Sequence, residues 1–241
     1  MSRKSKRNQK PQEARLHEAT PPRGFSRRSI FVAAVMALLL AFVAGTLYYK
    51  TESVRSAQQA AAKNRQLLAS ADSPALGNPE AKVHIVEFLD PACGTCAVFY
   101  PQVKKLMTDN PGRIRLSVRH VPFHKGSEHV VRMLEAARNQ GKYWQALEAV
   151  FASQGQWTMN HQVYPERVWP SLAGIGLDVD RARTDMNSAE IAGRMERDFA
   201  DAKVLGVSKT PEYFVNGRPL PTFGLDELQG LVKEELRVAY P

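Results

Sequence analysis

An uncharged apolar run near the N-terminus limits how much of this chain can fold as a globular domain. Residues 30–49 (IFVAAVMALLLAFVAGTLYY) carry no charged side chain. About 20 helical residues, rising about 1.5 Å each, span the roughly 30 Å hydrocarbon core of a bilayer. We therefore predict a single transmembrane helix over residues 30–49. A cleaved signal peptide is the alternative, although the run is long for one and no clear A-x-A site follows it.

The charges on either side of this run predict its orientation. Residues 1–28 contain nine Lys or Arg and two acids, whereas residues 51–241 contain 23 basic and 22 acidic side chains. An excess of Lys and Arg before a span places that end in the cytoplasm. We predict a basic cytoplasmic tail (residues 1–29), lipid contact through residues 30–49, and a single-pass inner-membrane protein with an extracytoplasmic or periplasmic domain. The formal charge of +9 belongs to the tail, so we expect no nucleic-acid binding.

Beyond the span, the sequence predicts a tether and one α/β domain. Residues 50–75 are rich in Ala, Gln and charge, which is typical of a tether, and residues 76–241 form the domain. Periodicity and turn residues predict the elements of the domain in a β-α-β, helical block, β-β-α order. These elements are a strand (82–89), a helix that begins at the cysteines, a strand (113–121), helices (127–151 and 166–205), a hairpin around Asn216-Gly217 and a last helix (225–238).

The chain has two cysteines, Cys93 and Cys96, spaced i and i+3 at the predicted junction of strand and helix. A structural disulfide is one interpretation, but so short a loop constrains the unfolded chain little. A zinc site is another, but no second cysteine pair or spaced histidine pair supplies the remaining ligands. At a helix N-terminus the dipole and free N–H groups lower a thiol pKa. We therefore expect Cys93 to be the attacking thiol and Cys96 the shielded resolving thiol.

Other residues near this motif have suggestive positions. Glu87 shares the inner face of an apolar strand with Val83, Ile85 and Leu89, so its pKa is expected to be raised and to suit proton exchange with Cys96. Thr210-Pro211 precedes a strand and is a candidate for a cis bond, and Pro101 should kink the active-site helix. The histidines at positions 120, 124 and 129 are interpreted as ordinary polar residues of a loop-to-helix boundary, not as metal ligands.

Three segments together resemble the DsbA-type branch of the thioredoxin superfamily. They are LGNPEAKVHIVEFLDPACGTCAVFYP, RHVPFHKGSEHVVRMLEAARNQGKYWQALEAVF and LGVSKTPEYFVNGRPL. The resemblance implies an α/β thioredoxin fold with a helical insertion at about residues 125–205. It also implies a redox-active Cys93–Cys96 pair, a buried carboxylate at Glu87, a helix kink at Pro101 and a cis-proline at Pro211 facing the cysteines. Gly94, Thr95 and Thr210 are then expected to contact the client protein.

The same resemblance implies dithiol-disulfide exchange with exported cysteine-containing proteins, and a membrane redox partner that recycles the cysteines. The Asp90-Pro91 pair and Thr210 resemble the DsbC and DsbG isomerases, whereas Gly94-Thr95 matches neither the Pro-His of DsbA nor the Gly-Pro of thioredoxin. We therefore expect a reduction potential between those of thioredoxin and DsbA. Oxidase activity is the first hypothesis. The alternatives are a reductase or isomerase, and a non-catalytic client-binding or chaperone module with a structural disulfide; no metal or cofactor is expected.

Overall fold

The computed structural model describes residues 27–70, 72–160 and 162–241. The predicted basic tail, residues 1–29, therefore lies outside the described residues except for its last three. The first element is a helix, α1 (Arg27–Leu68), which contains the whole apolar run. By length and composition, it is the one helix in the described ranges that could cross a membrane. Many of its large apolar side chains, such as Phe31, Leu38 and Phe42, are exposed.

Contacts divide the chain into two compact units, Met1–Glu52 and Ser53–Pro241. Residues 53–68 of α1 therefore belong to the second unit, although the sequence predicts a tether over residues 50–75. Ala61 and Leu68 are buried in that unit, and the Asn64 side-chain amide donates a hydrogen bond of 3.0 Å to the Gly217 carbonyl. Gly217 has a φ of +84° and a β-carbon there would collide with the Ala61 carbonyl oxygen, so only glycine permits this approach.

A mixed sheet of five strands, counted over the described residues, forms the centre of the second unit. Its order is β1-β3-β2-β6-β7. Strands β2 and β3 are parallel, and the other neighbours are antiparallel. The first strand, which sequence analysis missed, is only three residues long. The strands are β1 (Ala75–Gly77), β2 (Val83–Leu89), β3 (Ile114–His120), β6 (Glu212–Val215) and β7 (Arg218–Pro219).

Helices cover the sheet, and most of them lie between β3 and β6, as the predicted insertion requires. The prediction of one continuous helix over residues 127–151 is wrong, because the structure has two helices there. The break is at Gly141, whose φ of +71° is left-handed. The other elements of the insertion include a two-stranded hairpin, β4 (Thr158–Met159) with β5 (Gln162–Val163), and a 3₁₀ turn (Pro165–Arg167). The helices are α2 (Gly94–Asp109), α3 (Ser127–Asn139), α4 (Tyr143–Ala152), α5 (Gln154–Trp157), α6 (Trp169–Gly174), α7 (Val179–Asp185), α8 (Ala189–Val204) and α9 (Leu225–Ala239).

Strand β2 pairs on both edges, with β3 and β6, and is covered on both faces. Val83, Ile85 and Leu89 belong to the larger apolar core, whereas Val86 and Phe88 belong to a smaller cluster on the other face. This is the alternation predicted from the sequence. The carboxyl end of β2 leads directly into α2, so the cysteines lie at the edge of the sheet on top of the larger core.

Candidate active site

Cys93 is the N-cap of α2, and its sulfur takes the place that a serine or aspartate oxygen takes in many helices. The backbone N–H of Cys96 donates to the Cys93 sulfur across 3.4 Å. The Cys96 thiol is the largest cause that lowers the pKa of Cys93, to about 5, and burial opposes it. Thr210 and the backbone N–H groups of Cys96 and Thr95 lower it further. At neutral pH the Cys93 sulfur of the reduced protein is therefore a thiolate.

Cys96 is one turn further into α2. Both cysteines are buried, and Cys96 is 0% exposed whereas Cys93 is 6% exposed. Burial raises the pKa of the Cys96 thiol far above its usual range, and the neighbouring Cys93 and Glu87 raise it further. One dithiol thus contains a stabilised thiolate beside a thiol that holds its proton. The assignment of Cys93 as the attacking thiol and Cys96 as the resolving thiol stays a prediction.

Glu87 lies on the inner face of β2, opposite Tyr213 of β6 in the register of the sheet. Both carboxyl oxygens and the Tyr213 hydroxyl are buried, and within the described residues none of them has a hydrogen-bond partner of ordinary geometry. Burial raises the pKa of Glu87 to about 8; the nearby Tyr213 hydroxyl opposes this change, and the Cys93 charge adds to it. Glu87 is therefore a neutral acid at pH 7 that titrates close to the physiological range.

The loop before β6 closes the site from the other side. The Thr210-Pro211 bond is cis, as the sequence suggested. The Cys93 sulfur lies 3.3 Å from the Thr210 carbonyl oxygen, where a thiol would donate a hydrogen bond. Thr210 and Pro211 are thus brought to the reactive sulfur although more than 110 residues separate them in the chain. Gly94 and Thr95, in the first turn of α2, are exposed beside it.

Asp90, which follows β2, organises the loop that leads to Cys93. It is fully buried, and its carboxylate accepts hydrogen bonds from the Ser127 hydroxyl and from the backbone N–H of Ala92. It also accepts from the backbone N–H of His124 at 2.8 Å and faces the His124 ring nitrogen Nδ1 at 2.7 Å. The Asp90 carbonyl in turn accepts from the Cys93 N–H at 3.0 Å. Asp90 therefore joins the active-site loop to the loop between β3 and α3.

A cavity of about 260 Å³ opens beside the first turn of α2. Ala92 and Gly94 form one side of it, and His124 forms another. Gln154 also lines the cavity, and its side-chain amide donates to the carbonyls of Pro91 and Cys93. The rest of the lining comes from the β4–β5 hairpin: Thr158, Met159, Asn160 and Val163. The cavity therefore borders Ala92 and Gly94, the two residues that flank Cys93 in the chain.

The three histidines of the β3–α3 region do not share one environment. His120 is buried and its Nε2 lies 2.9 Å from the Tyr143 hydroxyl; burial lowers its pKa to about 3. His129 is exposed beside Glu128. Only His124 reaches the cavity next to Cys93. Sequence analysis missed this difference, together with Tyr213, Asp90 and Gln154, because no local pattern distinguishes these residues from ordinary core or loop positions.

This chain is similar in sequence and in fold to known proteins. The sequence profile of the family described as Thioredoxin matches residues 69–234. A crystal structure of a thioredoxin-like oxidoreductase from Silicibacter pomeroyi DSS-3 is 31% identical, with a TM-score of 0.62, over 72% of this chain and 96% of that one. The probable disulfide bond formation protein D of Bacillus anthracis is 25% identical over 88% of this chain and 98% of its own length.

Another similar protein is much longer than this chain. The Na(+)/H(+) antiporter NhaA of Herminiimonas arsenicoxydans is 32% identical over 80% of this chain. The match covers 31% of that antiporter, so the chain spans less than a third of it. The similarity therefore concerns a part of that protein.

Proposed function

Since this chain belongs to the thioredoxin family, we propose that it is a membrane-anchored thiol-disulfide oxidoreductase that exchanges the Cys93–Cys96 pair with exported cysteine-containing proteins. The observation that carries the proposal is the contrast between the two sulfurs. Cys93 has a pKa lowered to about 5 at a helix N-terminus, and Cys96 is completely buried beneath it. A structural disulfide has no need for one stabilised thiolate.

The contrast assigns a role to each group in client oxidation. A client thiolate attacks the Cys93 sulfur, the Cys93–Cys96 bond breaks, and Cys96 leaves as a thiolate. Because the pKa of Cys96 is strongly raised, that thiolate takes a proton at once, and the neutral Glu87 carboxyl is a suitable donor. A second client thiolate then attacks the client sulfur of the mixed disulfide. Cys93 leaves as a thiolate that needs no proton at neutral pH.

The stabilised Cys93 thiolate favours oxidation of clients over their reduction. Whatever stabilises the reduced form makes the disulfide a stronger oxidant, and a thiol pKa of about 5 lies between those of thioredoxin, about 7, and DsbA, about 3.5. We therefore propose a reduction potential between about −270 and about −120 mV, with an oxidase as the first assignment. Thr95 contributes a backbone N–H to this stabilisation; Thr210 and Gly94 border the place where a client segment would lie.

The anchor is the second part of the proposal. The apolar side chains exposed along α1, including Leu38, Leu40 and Phe42, suit a lipid environment. With the basic tail in the cytoplasm, the domain faces the periplasm or the cell exterior, where exported proteins acquire disulfides. Each client oxidation leaves the dithiol reduced, so a membrane redox partner that withdraws two electrons must restore it.

The test of the proposed function is the equilibrium of Cys93–Cys96 with glutathione in the full chain, together with assays of client oxidation and of insulin reduction. We expect a potential above about −230 mV and net oxidation of a reduced, unfolded client. A potential near −270 mV with insulin reduction would assign a reductase or isomerase. If the disulfide did not react with dithiols while the domain still held unfolded clients, the protein would be a binding module.

A further inference from the structure

The cavity next to Cys93 is lined in part by His124, which has no role in the exchange steps given above. His124 is one-third exposed, so its ring is reachable from solvent, whereas its partner Asp90 is fully buried. Ring nitrogen Nδ1 lies 2.7 Å from the Asp90 carboxylate. Because an ionised carboxylate can only accept, this contact places a proton on Nδ1. In a neutral ring, Nε2 is then a proton acceptor, and within the described ranges no hydrogen bond involves it.

The Asp90 carboxylate is well suited to hold this ring in one orientation. Its two oxygens also accept from the Ser127 hydroxyl and from the backbone N–H groups of Ala92 and His124, so the carboxylate is held by three hydrogen bonds besides its contact with the His124 ring. A buried carboxylate that orients an imidazole and stabilises its protonated form is the arrangement that general bases use. Within the described residues, Asp90 is the only charged side chain recorded in contact with the His124 ring. The other titratable residues close to His124 in the chain are Lys125, Glu128 and His129, in the same loop and at the start of α3.

The cavity lies beside the first turn of α2. It is lined by the residues immediately before and after Cys93, namely Ala92 and Gly94, and by His124. A volume of about 260 Å³ admits a cysteine side chain with part of its backbone. Gly94 leaves this side open, since a β-carbon there would have only the Gln154 side-chain oxygen within 4 Å. A client thiol in the cavity would thus lie next to the histidine and to the two residues that flank Cys93 in the chain.

We propose that this cavity is the subsite for the incoming client thiol, and that His124, oriented by Asp90, takes the proton of that thiol. The inference rests on the proposed function. The client S–H bond breaks as Nε2 accepts the proton, and the resulting thiolate forms a bond to the Cys93 sulfur. The Cys93–Cys96 bond breaks, and its electron pair leaves with Cys96. In the reverse direction the protonated ring returns the proton to the leaving client thiolate.

The size of the effect follows from how little of an ordinary thiol is ionised. A cysteine with a pKa of about 8.5 is about 3% thiolate at pH 7, so loss of the base should slow its attack by up to about 30-fold. At pH 9.5 about nine-tenths of it is ionised, and the histidine has nothing left to contribute. An aromatic thiol that is already a thiolate at pH 7 needs no base at any of these pH values.

The experiment compares His124→Gln with the parent protein in the full, oxidised chain in detergent. The initial rate of mixed-disulfide formation is measured after acid quenching with two probes, a single-cysteine peptide and an aromatic thiolate. His129→Gln, in an exposed histidine that lies outside the cavity, is the matched control. We expect His124→Gln to slow the peptide by up to about 30-fold at pH 7, to leave the rate of the aromatic thiolate within about twofold, and to match the parent at pH 9.5.

Three results would overturn the assignment of His124. These are equal slowing of both probes, a peptide defect that persists at pH 9.5, and the same defect in His129→Gln. Because both probes react with the same sample, a partly unfolded variant lowers both rates and leaves their ratio unchanged. If the parent protein reacted with neither probe, the proposed function itself would be wrong, which is a different outcome from a change in the ratio.

Discussion

Replacing Glu87 with Leu should stabilise the reduced protein at neutral pH, although it alters the active site. Glu87 has a pKa of about 8 in the folded state and an ordinary value of 4.5. A carboxyl whose pKa is raised by folding destabilises the folded state once the unfolded chain can ionise. This penalty is absent below pH 4.5, grows as pH rises, and is complete above pH 8.

The magnitude follows from linkage between the two pKa values. At pH 7 the penalty is about 3 kcal/mol, and at pH 5 it is about 1 kcal/mol. The free energy of unfolding of Glu87→Leu, relative to the parent, should therefore rise by about 2 to 3 kcal/mol between pH 5 and pH 7. Differences in packing, and the Tyr213 hydroxyl that Leu leaves beside it, do not depend on pH in this range and cancel from the slope.

The assay is chemical unfolding of the full chain in detergent with both cysteines kept reduced, the state in which Glu87 has a pKa of about 8. The titration of Cys93 is common to the parent and the variant and cancels from their difference. Tryptophan fluorescence reports on the domain alone, because the three tryptophans are Trp144, Trp157 and Trp169. Glu80→Leu, which removes an exposed carboxylate, is the control and should give no such slope. If the free energies of unfolding of the parent and of Glu87→Leu changed in parallel with pH, the raised pKa of Glu87 would be refuted, and with it the proton-donor role.

Four further predictions follow from the same groups. Glu87→Leu should also slow client exchange between pH 6 and 8, measured by stopped flow; unchanged rates would leave Glu87 without a catalytic role. The absorbance of the Cys93 thiolate at 240 nm should titrate near pH 5 in the reduced protein, and titration near pH 9 would contradict its stabilisation by α2. Cys96→Ser should accumulate mixed disulfides with clients on non-reducing gels, whereas Cys93→Ser should trap far fewer; equal trapping would reverse the assigned roles. A reporter fused after Leu67 should lie outside the cytoplasm, and the chain should resist carbonate extraction; a cytoplasmic reporter or a released shorter form would contradict the anchor.

Local sequence patterns were sufficient for much of the fold. Period-two alternation placed Glu87 on the inner face of β2, and the strand-to-helix junction placed Cys93 at the N-terminus of α2, because both depend on residues adjacent in the chain. The Asn216-Gly217 turn was predicted for the same reason, and both residues have positive φ. The break at Gly141 was also readable, since glycine favours that left-handed conformation, but the apolar pattern on both sides hid it.

Tertiary structure decided what surrounds the cysteines. The contacts of Asp90 with His124 and Ser127 join residues 34 and 37 positions apart, and Gln154 reaches Cys93 across 61. Tyr213 meets Glu87 only because β6 pairs with β2. Sequence alone therefore determined which residues could be reactive, since strand alternation and helix capping are local. Which histidine reaches the cavity, and which carboxyl is buried without a partner, depended on how distant elements pack, because burial and hydrogen bonding are properties of the assembled core.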